Sequence, residues 1–401
     1  MNENFRELES AKPDPIMQAN AQWPEFKARH DDAINTTVGL LLDPNTGKPW
    51  RPYTVIEALE TAQQAIDLTH TYGYQTLTGS AEFVRAAKEF SFGKELSQHE
   101  DILGYQALGG TGALSIARDT IEKLVIPHAG EISMFLDSGW PNHQAIFNEP
   151  YDLWEYQHTN PTTGNYYHES ATHIVRVSRA QVMLLQTCGY NDDGSERTKQ
   201  QWDDMVEVAK ENNAVVILDS AYLGLADGPD EDRYPIEQFV KSGLLTFVSF
   251  SASKNMGLYG ERVGALFIAN ARQQLGDKQY ANLDNTVKRI VRRTVSNMPL
   301  HAAEAAGQAL QDPYYHAELN RARIRLNVNR SIFASHVRKA FPAIGSGRGL
   351  FTKLFEEGFT DTQQQALANE GILTLQSSRI NLGGMTPEQT QRVGLAIMNL
   401  L

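Results

Sequence analysis

Lys254 follows the apolar run Leu244–Phe250 and sits among small residues, Ser251-Ala252-Ser253-Lys254-Asn255. A lysine placed there is open to desolvation, which lowers its pKa and makes it a competent amine nucleophile. The plainer alternative is a solvated loop lysine. Asp219 stands just past a second apolar run, Ala214–Leu218. An unpaired carboxylate is costly to bury, so it calls for a cationic partner such as a protonated ring nitrogen. A turn or helix-cap aspartate is the other reading. Gly109-Gly110-Thr111-Gly112 opens a helical stretch, where free backbone N–H groups and the helix dipole suit a phosphate. It lacks a P-loop lysine and the spacing of a dinucleotide fingerprint, and alone it reads as a tight turn. Ser251, Ser253 and Arg262 could add hydroxyl and guanidinium donors to the same anion. Arg379, in Ser377-Ser378-Arg379-Ile380-Asn381, and Arg292 are each able to grip a carboxylate bidentately, or else are surface arginines. The eleven histidines show no metal-binding spacing, so they read as structural or exposed and no metal is expected.

These residues need a scaffold. The runs Ile132–Leu136, Val182–Leu185, Ala214–Leu218, Leu244–Phe250 and Val263–Ile268 have the length of buried strands rather than helices. Helical patterns lie between several of them. Thr198–Asn212 puts Trp202, Met205, Val206 and Ala209 on one face, and Ala113–Val125 reads alike. Strands alternating with helices predict an α/β fold, a three-layer large domain with a mainly parallel central sheet, over about residues 51–309. Ligands of such sheets bind beyond the carboxyl ends of the strands. Trp140, Asn191, Asp219 with Tyr222, and Lys254 all follow apolar runs, so parallel strands would bring them to one edge. Residues 1–30, polar with Pro13 and Pro15, read as an N-terminal arm. Residues 313–340 and Pro387–Leu401 read as helices. Residues 31–50 and 310–401 are expected to form a small α+β lobe from both chain ends.

The chain has 401 residues, a net charge of −12 and a single cysteine, Cys188. The acidic balance argues against a nucleic-acid binder working through a basic surface. A lone cysteine makes no internal disulfide. The start has no apolar secretory segment, and no run approaches the ~20 apolar residues of a membrane span, so a cytoplasmic protein is expected.

Taken together, these segments resemble the class I aminotransferases that use pyridoxal phosphate, the aspartate and aromatic (tyrosine) subgroup of fold type I. The resemblance is carried by Gly110-Thr111-Gly112-Ala113-Leu114, Trp140-Pro141-Asn142-His143, Asp219-x-Ala221-Tyr222-x-Gly224 and Ser296-Asn297. It is carried above all by Ser251-x-Ser253-Lys254-Asn255-x-Gly257-Leu258-Tyr259-x-Glu261-Arg262-x-Gly264, with Arg379-Ile380-Asn381 near the end. It runs from Pro13-Asp14-Pro15-Ile16 to the C-terminus. It implies that Lys254 holds pyridoxal 5'-phosphate as a Schiff base and moves the substrate proton. Asp219 would keep the ring nitrogen protonated. Tyr222 and Asn191 would bond the ring hydroxyl and lower the Schiff-base pKa, with Trp140 stacked on the ring. Gly110, Thr111, Ser251, Ser253 and Arg262 would bind the phosphate. Arg379 would clamp the substrate α-carboxylate, with Gly39 offering a backbone contact and Trp140 and Asn191 nearby. Tyr74 and Arg292 would reach the neighbouring subunit's site, toward phosphate and side-chain carboxylate respectively, which implies a homodimer with shared active sites.

The implied activity is transamination between an acidic or aromatic L-amino acid and 2-oxoglutarate. The sequence departs from the family at Asn191-Asp192-Asp193-Gly194, where a proline is missing, and at Gly109, where a serine is common. Val295 and Lys353 stand where aromatic residues are usual, and Leu40–Leu42 make the entrance more apolar. These changes bear on the substrate more than on the reaction type. The same site would also serve a lyase or decarboxylase, since the chemistry follows whichever Cα bond is aligned with the ring. A non-catalytic regulatory module ranks below both, because Lys254 is present. No role follows for Cys188.

Overall fold

The computed structural model describes residues 14–401 apart from 70, 138, 161, 162 and 164. The first part of the expected arm, residues 1–13 with Pro13, lies outside the described residues. Beyond it the chain is helical over Pro15–Arg29, capped by the Asp14 carboxylate, which accepts the Met17 N–H at 2.9 Å.

The strands are β1 (Ile34–Asn35), β2 (Ile102–Leu108), β3 (Ile132–Leu136), β4 (Tyr151–Trp154), β5 (Val182–Gln186), β6 (Val215–Ser220), β7 (Thr246–Ser251), β8 (Val263–Ala269), β9 (Phe351–Lys353), β10 (Ile372–Leu373) and β11 (Arg379–Asn381). Seven of them form one sheet in the order β2-β8-β7-β6-β5-β3-β4. The pairs β7–β6, β6–β5, β5–β3 and β3–β4 are parallel, while β8 is antiparallel to both β2 and β7. Because only β8 is reversed, β2 runs with the parallel set. The carboxyl ends of β2, β3, β5, β6 and β7 therefore share an edge with the beginning of β8. That reversal, which the apolar runs do not reveal, brings Arg262 to the same edge as Lys254.

The apolar runs are continuous because both faces of the sheet are covered. Along β6, Val216 and Leu218 enter one core and Ile217 the other. Helix Gly109–Leu124 and helix Ala271–Thr294 cover one face. Helix Lys199–Glu211 and others cover the opposite face, so the architecture is three-layered. Helix Lys199–Glu211 begins at a Thr198–Gln201 capping box and buries Trp202, Met205, Val206 and Ala209, the stripe its sequence pattern marks. Truncating a side chain as deeply buried as Ile217 to alanine costs about 2–5 kcal/mol.

β2 and β4 are strands that the apolar pattern passes over. In β2 the run is broken by Gly104 and Gln106. Gln106 is buried because its amide is satisfied there, accepting the Ser80 N–H at 2.9 Å and donating to the Pro299 carbonyl at 2.7 Å. A third core joins Ile34 to residues between Phe333 and Ile397. Helix Pro313–Val337 serves two cores, with Tyr315, Leu319 and Leu326 in the first and Phe333 and Val337 in the third. The closing helix runs over Pro387–Met398 behind a Thr386–Gln389 capping box. No described helix is long and apolar enough to cross a membrane.

Candidate active site

A cavity of about 330 Å³ opens beyond the shared strand edge. Lys254, Asp219, Tyr222, Asn191, Trp140, Gly110, Thr111, Ser251, Ser253, Arg262, Gly39 and Arg379 all line it. Residues from segments far apart in the chain thus meet because the strand ends meet.

Lys254 lies in the short helix Ala252–Asn255 after β7, half-buried, and its ammonium donates to the Gly39 carbonyl. Burial is the main cause that pulls its pKa from 10.5 to about 8, helped by the positive charges of Arg379 and Arg262. Asp219, near the end of β6, is buried. Its Oδ2 lies 2.9 Å from His143 Nε2. Its Oδ1 is buried without a hydrogen-bond partner among the described residues. The Tyr222 hydroxyl donates to Asn191 Oδ1 at 2.5 Å, and Asn191 Nδ2 donates to the Gly139 carbonyl at 2.7 Å. Burial pushes the Tyr222 phenol above its ordinary pKa, against the lowering effect of Arg379.

The anion cradle is at the other end of the cavity. Helix Gly109–Leu124 begins with no side-chain cap, which leaves its first N–H groups free for a ligand. Arg262 donates to Ser253 Oγ at 3.2 Å and to the carbonyls of Tyr259 and Leu108 at 3.0 and 3.3 Å. Ser251 Oγ accepts the Ser253 N–H at 3.3 Å. Gly109 has a φ of 70°, and a Cβ there would run into the Arg262 guanidinium. A side chain at 109 would be strained at this φ and would push on the arginine that the cradle uses.

Arg379, on β11, is buried and lies 4.2 Å over the Phe351 ring. Its hydrogen bonds are long, 3.5 Å to the carbonyls of Asn191 and Thr37. No described carboxylate pairs with it, so the guanidinium keeps its donors for another anion. The remaining wall is apolar, built by Ile16, Met17, Val38, Leu40, Leu114 and Phe351.

Two expected site residues stand apart. Tyr74 is 86% exposed, and neither it nor Arg292 lines the cavity. Arg292 is exposed and donates to Ser296 Oγ at 2.7 Å. Of the departures, Lys353 also lies outside the cavity and pairs with Asp192 at 2.9 Å. The Asn191–Asp192 peptide is trans, the one cis bond among the described residues being Glu149–Pro150. Asp193 binds the Ser195 N–H at 2.7 Å. Burial raises its pKa, but His158 and the Ser195 bonds outweigh that and hold it at about 2.

His143 is the site residue that the reading of the histidines missed. It is fully buried beside Asp219 and meets Trp140 edge-on at 5.0 Å. Its position three residues after Trp140 was the available signal, since one helical turn carries it under the same loop.

The donor set fits pyridoxal phosphate. A buried carboxylate oxygen without a partner suits a ring N–H, an uncapped helix with an arginine and two serines suits a phosphate, and a lysine of lowered pKa stands between them. Comparison with known proteins gives the same direction. The family model for aminotransferase class I and II matches residues 41–397. An aspartate aminotransferase of Pseudomonas aeruginosa is 29% identical, with 99% of each chain covered. A tyrosine aminotransferase of Klebsiella pneumoniae is 26% identical over 99% of this chain and all of that one. The crystal structure of an aromatic-amino-acid aminotransferase from Burkholderia pseudomallei, covalently bound to pyridoxal phosphate, superposes with a TM-score of 0.86 at 26% identity, covering 99% of both chains.

Proposed function

The chain belongs to the class I and II aminotransferase family, and on that premise we propose that it transaminates L-amino acids with pyridoxal phosphate, using 2-oxoglutarate as amino acceptor. The observation that carries this is the Asp219 carboxylate, buried with Oδ1 unpartnered in the cavity that also holds the Lys254 amine. When bound, pyridoxal phosphate supplies a carbonyl that takes up the amine and a ring that stores the electron pair released at Cα.

The residues divide the work by position. Asp219, steadied by His143, accepts the ring N–H and favours its protonated form. The Tyr222–Asn191 pair offers hydrogen bonds to the ring hydroxyl. Arg262, Ser251, Ser253 and the amides of Gly110 and Thr111 hold the phosphate. Lys254 is the covalent anchor, and once displaced by substrate its free amine would take the proton from Cα and deliver it to the cofactor's C4′ carbon. A pKa near 8 suits both tasks at neutral pH. Arg379 takes the substrate α-carboxylate, because a buried guanidinium with only long carbonyl bonds gains most from a charged partner.

The apolar wall favours an aromatic or other apolar side chain in the substrate. Arg292 and Tyr74, away from the cavity of their own chain, are read as contributions to the neighbour's site in a homodimer. We read residues 51–309 as the cofactor domain, and 31–50 with 310–401 as a small domain that substrate at Arg379 draws closed.

Borohydride reduction of the protein saturated with pyridoxal phosphate, followed by peptide mass mapping, tests the anchor. The expected result is one phosphopyridoxyl adduct, on Lys254. An adduct confined to other lysines would sink this assignment.

A further inference from the structure

One carboxylate joins the ends of β3 and β5. Asp137, the residue after β3, is fully buried. Its Oδ2 accepts the Gln186 N–H at 3.0 Å, and Gln186 ends β5. Gln186 passes the tie on. Its Oε1 accepts the Asn191 N–H at 3.1 Å, and its Nε2 donates to the Asp137 carbonyl at 3.4 Å. Asn191 then holds the Tyr222 hydroxyl on one side and the Gly139 carbonyl on the other. Gly139 lies between Asp137 and Trp140. The loop that carries Trp140 and the loop that carries Asn191 therefore close a ring of hydrogen bonds, with Asp137 at its hub.

A carboxylate this deeply buried needs a charge to meet it. Arg197 meets it with two bonds, 2.9 Å to Oδ2 and 2.8 Å to Oδ1. The Arg197 side chain is only 4% exposed. Its guanidinium lies 4.6 Å from the Tyr166 ring and 4.8 Å from the Trp202 ring, and its Nε donates to the Tyr166 hydroxyl at 2.8 Å. Burial alone would raise the Asp137 pKa, but Arg197, Tyr156 and His158 outweigh it and keep the group an anion. A second tie reaches the same loop. Tyr156 donates to Asp137 Oδ1 at 2.6 Å and its hydroxyl is 2.9 Å from His158 Nδ1. His158 stacks on Tyr190, the neighbour of Asn191, at 4.1 Å and 10°. Arg197 itself does not line the cavity that holds Lys254.

We propose that Arg197, acting through Asp137, is a positioning residue of the active site: the pair holds the Trp140 and Asn191 loops in register and so sets the hydrogen bond from Tyr222 to Asn191. The inference rests on the pyridoxal phosphate reading of the site. A loosened Asn191 weakens the hydrogen bonds that Tyr222 and Asn191 offer the ring hydroxyl. The pH at which the bound chromophore titrates must then rise.

The test uses the holoenzyme of wild type, Arg197→Lys and the double variant Asp137→Asn with Arg197→Met. The double variant leaves no charge buried alone, so it keeps the fold better than either single change. Three readouts are compared: the midpoint of the visible absorbance against pH, kcat/KM, and Tm. Around the pair, the titratable neighbours are Tyr156, Tyr166, Tyr190, His158 and Asp193; around Tyr222 they are Asp219, Arg379, Tyr259 and Cys188. His158 is the imidazole among these neighbours, so the titration is repeated in His158→Asn as a control for that side chain.

The expected result is an upward shift of the midpoint by about one pH unit in the double variant, the scale of one hydrogen bond to a charged group. A fall in kcat/KM on the order of tenfold accompanies it, with partial recovery in Arg197→Lys. A lowered Tm with wild-type midpoint and kcat/KM would overturn the proposal, since the pair would then be structural only. If the double variant does not fold, Arg197→Lys, which keeps the charge without the fork, decides the matter on the same two readouts. Wild-type protein that takes up no pyridoxal phosphate would overturn the underlying reading, and the proposal with it.

Discussion

The floor of the cavity and its rim are built on opposite terms. The floor comes from the ends of β2, β3, β5, β6 and β7 and the beginning of β8, and its side chains are tied to one another, Tyr222 to Asn191, Asp219 to His143 and Arg262 to Ser253. Its conspicuous gap is Asp219 Oδ1. The rim comes from separate segments, Ile16 and Met17, Val38 to Leu40, Phe351 and Arg379. Its main polar group, Arg379, has only 3.5 Å bonds to carbonyls. A floor fixed by sheet hydrogen bonds is preorganised, so changes there should strike the chemical step. A rim assembled from separate segments outside the central sheet is less tightly tied, so changes there should strike binding and choice of substrate.

The largest effect is expected on the floor. Lys254→Ala should lower kcat by at least ~10⁴, the upper range for a positioned acid–base group, with a smaller change in substrate Kd. Rapid-mixing kinetics would check it, and a loss confined to KM would erase the contrast between floor and rim. On the rim, Arg379→Leu should lower kcat/KM by about 10–100-fold for every amino acid, mostly through KM. Arg292→Leu should be narrower. Activity toward aspartate is expected to fall on the order of tenfold, while phenylalanine stays within about threefold. Equal losses on both donors would show that Arg292 does not read a side-chain carboxylate.

The smallest effect concerns stability, and its sign separates function from folding. The Lys254 pKa falls from 10.5 in the unfolded chain to about 8 in the folded protein. Between those values the unfolded state binds more protons, so stability rises with pH across this window. Below pH 8 the folded apo-protein bears the full cost of a buried ammonium, and above 10.5 it bears none. Lys254→Met should therefore raise the apo-protein Tm at pH 7 by about 2–4 °C, with the gain shrinking toward pH 10. Calorimetry at both pH values checks this. A destabilised Lys254→Met at pH 7 would mean that the amine is well solvated.

The same division explains what could be read from the sequence. Asp219 follows an apolar run directly and Lys254 and Trp140 come within a few residues of one, so a local pattern places them at a strand end. Helix Lys199–Glu211 was legible from its apolar stripe. The phosphate-binding roles became specific only through the family resemblance, since a glycine turn and a few serines are common anywhere. What stayed hidden depends on long-range pairing. The reversal of β8 cannot be seen in an apolar run. β2 hides behind Gly104 and Gln106, whose burial requires Ser80 and Pro299. His143 gains its meaning from Asp219, 76 positions away, and Arg197 from Asp137, 60 positions away. The spacing of His143 from Trp140 hints that it belongs to the site, but the identity of a distant buried polar partner has no local sequence signature.

The central claim is that these strand ends form a transamination site, and a half-reaction tests it most directly. Holoenzyme at high concentration is mixed with one equivalent of an aromatic L-amino acid and no acceptor. The visible absorbance should change within one turnover and about one equivalent of the matching 2-oxo acid should appear, with the nitrogen retained by the protein. Adding 2-oxoglutarate should restore the original spectrum and yield glutamate. Release of carbon dioxide or ammonia in place of the 2-oxo acid, or a spectrum that 2-oxoglutarate does not restore, would contradict the account.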